Sequence, residues 1–172
     1  MTGPAGVAGE GHWGSGVTVA DYDNDGWPDL LVTNFGPNVL YRNRGNGTFE
    51  NMAARAGIES PGWNTGAAFF DADGDGDLDL YVAAYIEHGV EDLLKAERTL
   101  DWKGVEKVAT GPFGLPGAPD HFFRSDGKGG FTDATAEAGL EDRALAYGFG
   151  VRAADFDDDG DTDIYVANDS DA

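Results

Sequence analysis

Apolar residues fall along this chain in short runs bounded by glycine and aspartate. Three glycine-rich apolar stretches, GSGVTVA (14–20), NTGAAFF (64–70) and GFGVRAA (148–154), each lead into a dense acidic segment. Each acidic segment is followed by a β-branched and aromatic run, namely LLVTN (30–34), LYVAA (80–84) and IYVAN (164–168). Runs of this length and residue type predict strands. Each acidic segment then joins two strands as a hairpin.

A second pattern repeats between the hairpins. NVLYRNRGNGTFENMAARAGI (38–58) aligns without a gap on DHFFRSDGKGGFTDATAEAGL (120–140), so Arg42 meets Arg124, Phe49 meets Phe131 and Gly57 meets Gly139. Each copy reads as strand, glycine-rich turn, strand and a short Ala-rich turn or helical piece. One unit therefore holds four short antiparallel strands, the sequence form of a β-propeller blade. The predicted fold class is all-β, with about two and a half blades: a unit at 14–58, a second at 64–140 and a partial third at 148–172. The acidic segments start 50 and then 84 residues apart, which places an insertion of 34 within about 85–118. Inside it, VEDLLKAERTL (90–100) predicts a short helix, and GPFGLPGAP (111–119) must be a loop. The insertion is expected to cover a face or edge of its blade, with Trp102 the aromatic residue best suited to contact. Tyr41, Phe49, Phe122, Phe123 and Phe131 stand at repeated strand positions and read as blade packing.

The acidic segments share one register. DYDNDGWPDL (21–30), DADGDGDLDL (71–80) and DFDDDGDTDI (155–164) all read D-x-D-x-D-G-x-x-D before an aliphatic residue. They hold 15 of the 32 acids in a chain of 172 residues and net charge −21. Acidity is thus concentrated at three places. Three bound divalent cations would bring the net charge from −21 to about −15. A surface this negative argues against nucleic acid and anionic membranes as partners. There is no cysteine, so no disulfide or thiolate site is possible. No run approaches the length of a membrane-spanning helix. The opening MTGPAGVAGEGHWGSG reads as no secretion signal. The close at YVANDSDA, straight after a strand-like run, suggests part of a longer protein.

Alternating aspartates on one tight turn supply the hard oxygens that Ca²⁺ prefers, and a glycine at position 6 (Gly26, Gly76, Gly160) permits the bend. The expected ligands are the side chains at positions 1, 3, 5 and 9. These are Asp21, Asp23, Asp25 and Asp29; Asp71, Asp73, Asp75 and Asp79; and Asp155, Asp157, Asp159 and Asp163. The backbone carbonyl of position 7 (Trp27, Asp77, Asp161) completes each set. An EF-hand is rejected, because its position 12 glutamate is Val32, Val82 and Val166 here and the flanks are strands. Mg²⁺ keeps its waters and zinc wants His or Cys. His12, His88 and His121 are unpatterned; His121 aligns with Val39 and reads as a surface or packing residue.

These residues carry a resemblance. GSGVTVADYDNDGWPDLLVTN resembles the FG-GAP/VCBS repeat, the calcium-loop blade also seen in integrin α-subunit propellers, and YGFGVRAADFDDDGDTDIYVAND carries the Phe-Gly element itself. With the second hairpins, the pattern is similar to the UnbV-like and cartilage acidic protein group. The resemblance implies a propeller blade array, calcium in three loops, and a location outside the cytoplasm, extracellular or periplasmic.

The function expected is a calcium-stabilised scaffold for adhesion or for a protein or glycan partner, completed by further blades or by self-association. The alternative is part of a propeller hydrolase or lyase whose active site lies in blades outside this chain. It is the weaker reading, because the loop pattern uses nearly every clustered acid and no Ser-His-Asp, phosphate-loop or zinc motif remains.

Overall fold

The computed structural model describes residues 2–9, 11–87, 99–109, 115–141 and 146–169. Among these residues the chain is all-β apart from two four-residue helices, α1 (Thr2–Ala5) and α2 (Ala53–Ala56). The first sheet runs in the order β1 (Trp13–Ala20), β2 (Asp29–Asn43), β3 (Phe49–Asn51). β2 is 15 residues long, which would span about 46 Å if fully extended. Yet the Asn43 N–H at its end donates to Asp29 Oδ1 at its start, at 2.6 Å. The strand therefore folds back on itself, and Gly36, at φ 111°, lies in the return. β2 supplies two of the four predicted strands.

In the second sheet the same two strands are separate. Its order is β4 (Asn64–Phe70), β5 (Asp79–Ala84), β8 (His121–Ser125), β9 (Phe131–Asp133), all antiparallel. The insertion enters where β2 merely turns. It contains a hairpin, β6 (Thr99–Trp102) and β7 (Val105–Ala109), closed by Lys103 and Gly104 at φ 50° and 82°. Two adjacent positive-φ residues suit a two-residue hairpin turn. This corrects the expected helix at its end: Thr99 and Leu100 are strand, because the turn four residues on recruits them. The remainder, 90–98, lies outside the described residues, as do 111–114 of the expected loop; residues 115–119 are irregular, tied by an Ile86–Gly117 bridge. The side chain of Trp102 is likewise outside what is described. The third unit is a hairpin of β10 (Gly148–Ala154) and β11 (Asp163–Asn168).

The three units stack face to face. Tyr22, Leu31, Leu40 and Ile58 of the first pack against Leu80, Val82, Phe123 and Phe131 of the second. The other face of the second sheet, with Phe70, Tyr81 and Phe122, packs on Val151, Ile164 and Val166 of the third. Alternation along the strands makes this possible: Leu80 and Val82 face one neighbour, Tyr81 and Ala83 the other. β1, β4 and β10 approach closely at glycines. A Cβ on Gly16 would meet the Thr65 carbonyl, and one on Gly66 would lie 2.8 Å from both Phe149 O and Val151 N. At the strand ends away from the acidic loops, Trp13, Phe35, Trp63, Tyr85 and Tyr147 form a chain of ring contacts across all three units, with centroids 5.0–6.3 Å apart. Of the repeated aromatics, Tyr41, Phe122, Phe123 and Phe131 are buried and Phe49 is half-buried. No helix among the described residues is long and apolar enough to cross a membrane.

Candidate metal centres

Each acidic segment is the hairpin loop between the first two strands of its unit. Three carboxylates per loop converge: Asp21, Asp23 and Asp29; Asp71, Asp73 and Asp75; Asp155, Asp157 and Asp163. In each set one oxygen per residue lies within 4.8 Å of the others. Positions 1 and 3 contribute every time. Position 9 joins in the first and third loops, and position 5 in the second.

Position 1 also builds the turn. Asp21 accepts from Asp25 N at 3.0 Å and Gly26 N at 2.8 Å. Asp71 and Asp155 repeat both bonds. Position 5 accepts from the position 7 N–H in all three loops, as Asp25, Asp75 and Asp159. Position 6 is left-handed, with φ of 90°, 90° and 97° at Gly26, Gly76 and Gly160. Position 4 is left-handed too: Asn24, Gly74 and Asp158 have φ of 56°, 76° and 61°. Asn, Gly and Asp are the residues that enter this region most readily. That shared choice at position 4 was a signal available in the sequence.

The ninth aspartate has a role that the spacing did not reveal. Asp79 is buried; one oxygen accepts from Ala72 N at 3.2 Å and the other from Ser125 N at 2.8 Å. Asp29 does the same with Tyr22 N and Asn43 N. Each stitches its acidic loop to the second hairpin of the same unit. Asp163 makes the loop bond, to Phe156 N at 2.9 Å, in a unit with a single described hairpin. Burial pushes the Asp29 carboxyl up to about 6, against the pull of its two N–H donors and with help from Asp23 and Asp25. Asp79 is raised by the same cause. A buried carboxylate under this pressure gains from any nearby positive charge.

Position 7 faces the turn of the second hairpin. A Cβ on Gly45 would touch the Trp27 indole at 2.7 Å, and one on Gly127 would collide with the Asp77 carboxylate. Asp77 also accepts from Asn24 Nδ2 at 2.8 Å, which joins the first two loops. Position 3 is most enclosed in the first loop: the Asp23 side chain is 10% exposed, and its Oδ1 is buried with no hydrogen-bond partner among the described residues. Its other oxygen binds Arg42. His121 lies away from these loops, stacked on Phe123 and 3.2 Å from Asp133.

Residues 21–82, from the first loop to the second, match the family model for the FG-GAP-like repeat. The chain is also 39% identical over 69 residues to cartilage acidic protein 1 of Mus musculus, and equally to that of Homo sapiens. These matches cover 39% of this chain and only 11% and 10% of the relatives, so the chain spans a small part of their length. Residues 21–82 thus carry FG-GAP-like repeat sequence on an all-β, blade-like frame, and the chain is similar to cartilage acidic protein 1 over 69 residues.

Proposed function

We propose that this chain is a calcium-binding β-propeller segment, and that Ca²⁺ in its three hairpin loops is structural. The observation that carries this reading is the enclosed carboxylate of Asp23, which has one orphaned oxygen and belongs to a cluster of three aspartates repeated in each loop. A buried acceptor without a donor is costly and a cation relieves it. The donor set is all hard oxygen, which fits calcium and not zinc. Side chains at positions 1, 3, 5 and 9 would hold the ion with the position 7 carbonyl, among them Asp25, Asp79 and Asp159, which stand outside the converged sets. The ion would neutralise each loop and fix its hairpin.

The repeat units are taken as 14–58, 64–140 with the insertion at about 85–118, and 148–172. Their outer faces support a scaffold completed by further blades. Val17 and Val19 are 68% and 58% exposed, whereas their counterparts Ala67 and Phe69 pack against the first unit's core. Phe156 and Tyr165 are 59% and 63% exposed, whereas Tyr22 and Tyr81 are covered by the next unit. Each outer face would take another four-stranded sheet or a second copy. The chain would serve as a non-catalytic, extracytoplasmic scaffold for a protein or glycan partner, since weak calcium sites fill only where calcium is abundant. Calorimetric titration tests the metal: about three Ca²⁺ per chain are expected, with Asp23→Ala, Asp73→Ala and Asp157→Ala each removing one. A stoichiometry near zero, or preference for Zn²⁺, would overturn it.

A further inference from the structure

The two repeated arginines behave differently. Arg42 lies in the returning half of β2 and reaches into the first loop, with Nε 2.5 Å from Asp23 Oδ2 and the terminal nitrogen Nη2 2.7 Å from Asp25 Oδ2. Arg124, its counterpart, turns instead to Glu137 Oε1 at 2.9 Å, and its Nε has no partner among the described residues. In the second loop Asp75 joins the converged carboxylates; in the first, Asp25 stands outside them and holds the guanidinium. The first loop also starts with the least negative charge: four carboxylates and one guanidinium, against five carboxylates in the second loop and six in the third. Ligand charge is one of the main determinants of calcium affinity in oxygen-lined loops.

Resting on the calcium reading above, we propose that Arg42 is a built-in competitor for the cation of the first loop, which makes that loop the weakest of the three sites. For a divalent ion to recruit Asp25 and the second oxygen of Asp23, the guanidinium must surrender or share both ion pairs. Two partly exposed pairs of this kind correspond to a roughly tenfold weaker site. The buried Asp23 Oδ1 stays available throughout, so the loop is poised between two counter-ions. Calcium-poor conditions leave it neutralised by Arg42, and calcium-rich conditions displace the arginine. The first hairpin is thereby protected from the self-repulsion that the other loops would suffer without metal.

Trp27, at position 7 of the first loop, gives a local reporter, since the other loops carry Asp77 and Asp161 there. Terbium titration of the full chain, read by luminescence sensitised through tryptophan, follows this loop, and calcium displacement gives its affinity for calcium. Calorimetry follows all three. Arg42→Gln is expected to tighten the first site about tenfold and leave the other two unchanged. Arg42→Lys, which keeps the charge without the fork, should fall between, and it covers the case in which Arg42→Gln folds poorly. Arg124→Gln should change no site. A first site that is unchanged or weaker in Arg42→Gln, or in Arg42→Lys if only that variant folds, would overturn the proposal and make Arg42 a positioning residue. Silence of all three loops towards both ions would remove the calcium reading and this proposal together, a pattern distinct from failure at the first loop alone.

Discussion

Replacing Asp79 by alanine should cost far more than the same change at Asp163, although both are the ninth residue of their loops. Asp79 is 3% exposed and accepts two backbone hydrogen bonds, from Ala72 and Ser125. Asp163 is half-buried, with one such bond, from Phe156. Hydrogen bonds to a charged partner contribute about 1.5–3 kcal/mol each, and truncation strands the buried donors. The expected loss is about 3–6 kcal/mol for Asp79→Ala and about 1–2 kcal/mol for Asp163→Ala, the latter discounted for solvent access. Urea unfolding in chelator separates this from any metal effect. With a slope of about 2 kcal/mol per molar urea, the Asp79→Ala midpoint falls by roughly 2 M. Asp79→Asn keeps one acceptor and should lie between. If the two alanine variants agree within about 0.5 kcal/mol, the stitch between loop and second hairpin is not a stabilising element.

Four further outcomes are expected. Gly66→Ala should destabilise by about 2–3 kcal/mol, because its Cβ would press on the β10 backbone, whereas Gly150→Ala, with only Ala167 Cβ at 3.8 Å, should be near neutral; thermal unfolding compares them. Asn38, buried with both amide atoms unpartnered among the described residues, should accept leucine at little or no cost. Its counterpart Asp120 accepts from Tyr81 Oη at 2.9 Å and Ala84 N at 2.7 Å, so Asp120→Leu should lose about 3–5 kcal/mol in the same measurement. The open apolar faces should make the isolated chain associate, and Val17→Lys with Tyr165→Lys should reduce the sedimenting mass; a monomer before substitution would contradict this.

The repeat was legible because each of its signals is local. Aspartates in fixed register with glycine at position 6, and strand runs on either side, locate the hairpins at 14–20 and 30–34, 64–70 and 80–84, and 148–154 and 164–168. What was not legible depends on contacts between segments far apart in sequence. Asp29 and Asp79 look like any other loop carboxylate, and only the approach of Asn43 and Ser125 turns them into stitches. Gly16 and Gly66 read as strand punctuation, yet the packing of one unit on the next is what forbids a side chain there. The matching of Gly45 with Gly127 was visible, but its cause, the position 7 side chain lying over each, was not. The helix expected at 90–100 relied on leucine spacing, and at its described end the turn at Lys103 and Gly104 commits Thr99 and Leu100 to a hairpin instead. Arg42 and Arg124 are identical in the repeat, and their different partners follow from the surroundings of each unit.

The most direct test of the central claim is a pair of thermal melts, one in about 1 mM calcium and one in chelator. A site with a Kd on the order of 10⁻⁴ M contributes roughly 1.4 kcal/mol at that concentration, so three such sites add about 4 kcal/mol. A typical domain has only about 5–15 kcal/mol in all. The melting temperature should fall by roughly ten degrees in chelator, or the cooperative transition should be lost, with recovery on adding calcium back. Superimposable curves would contradict it and leave the loops as solvated acidic turns held by their own hydrogen bonds.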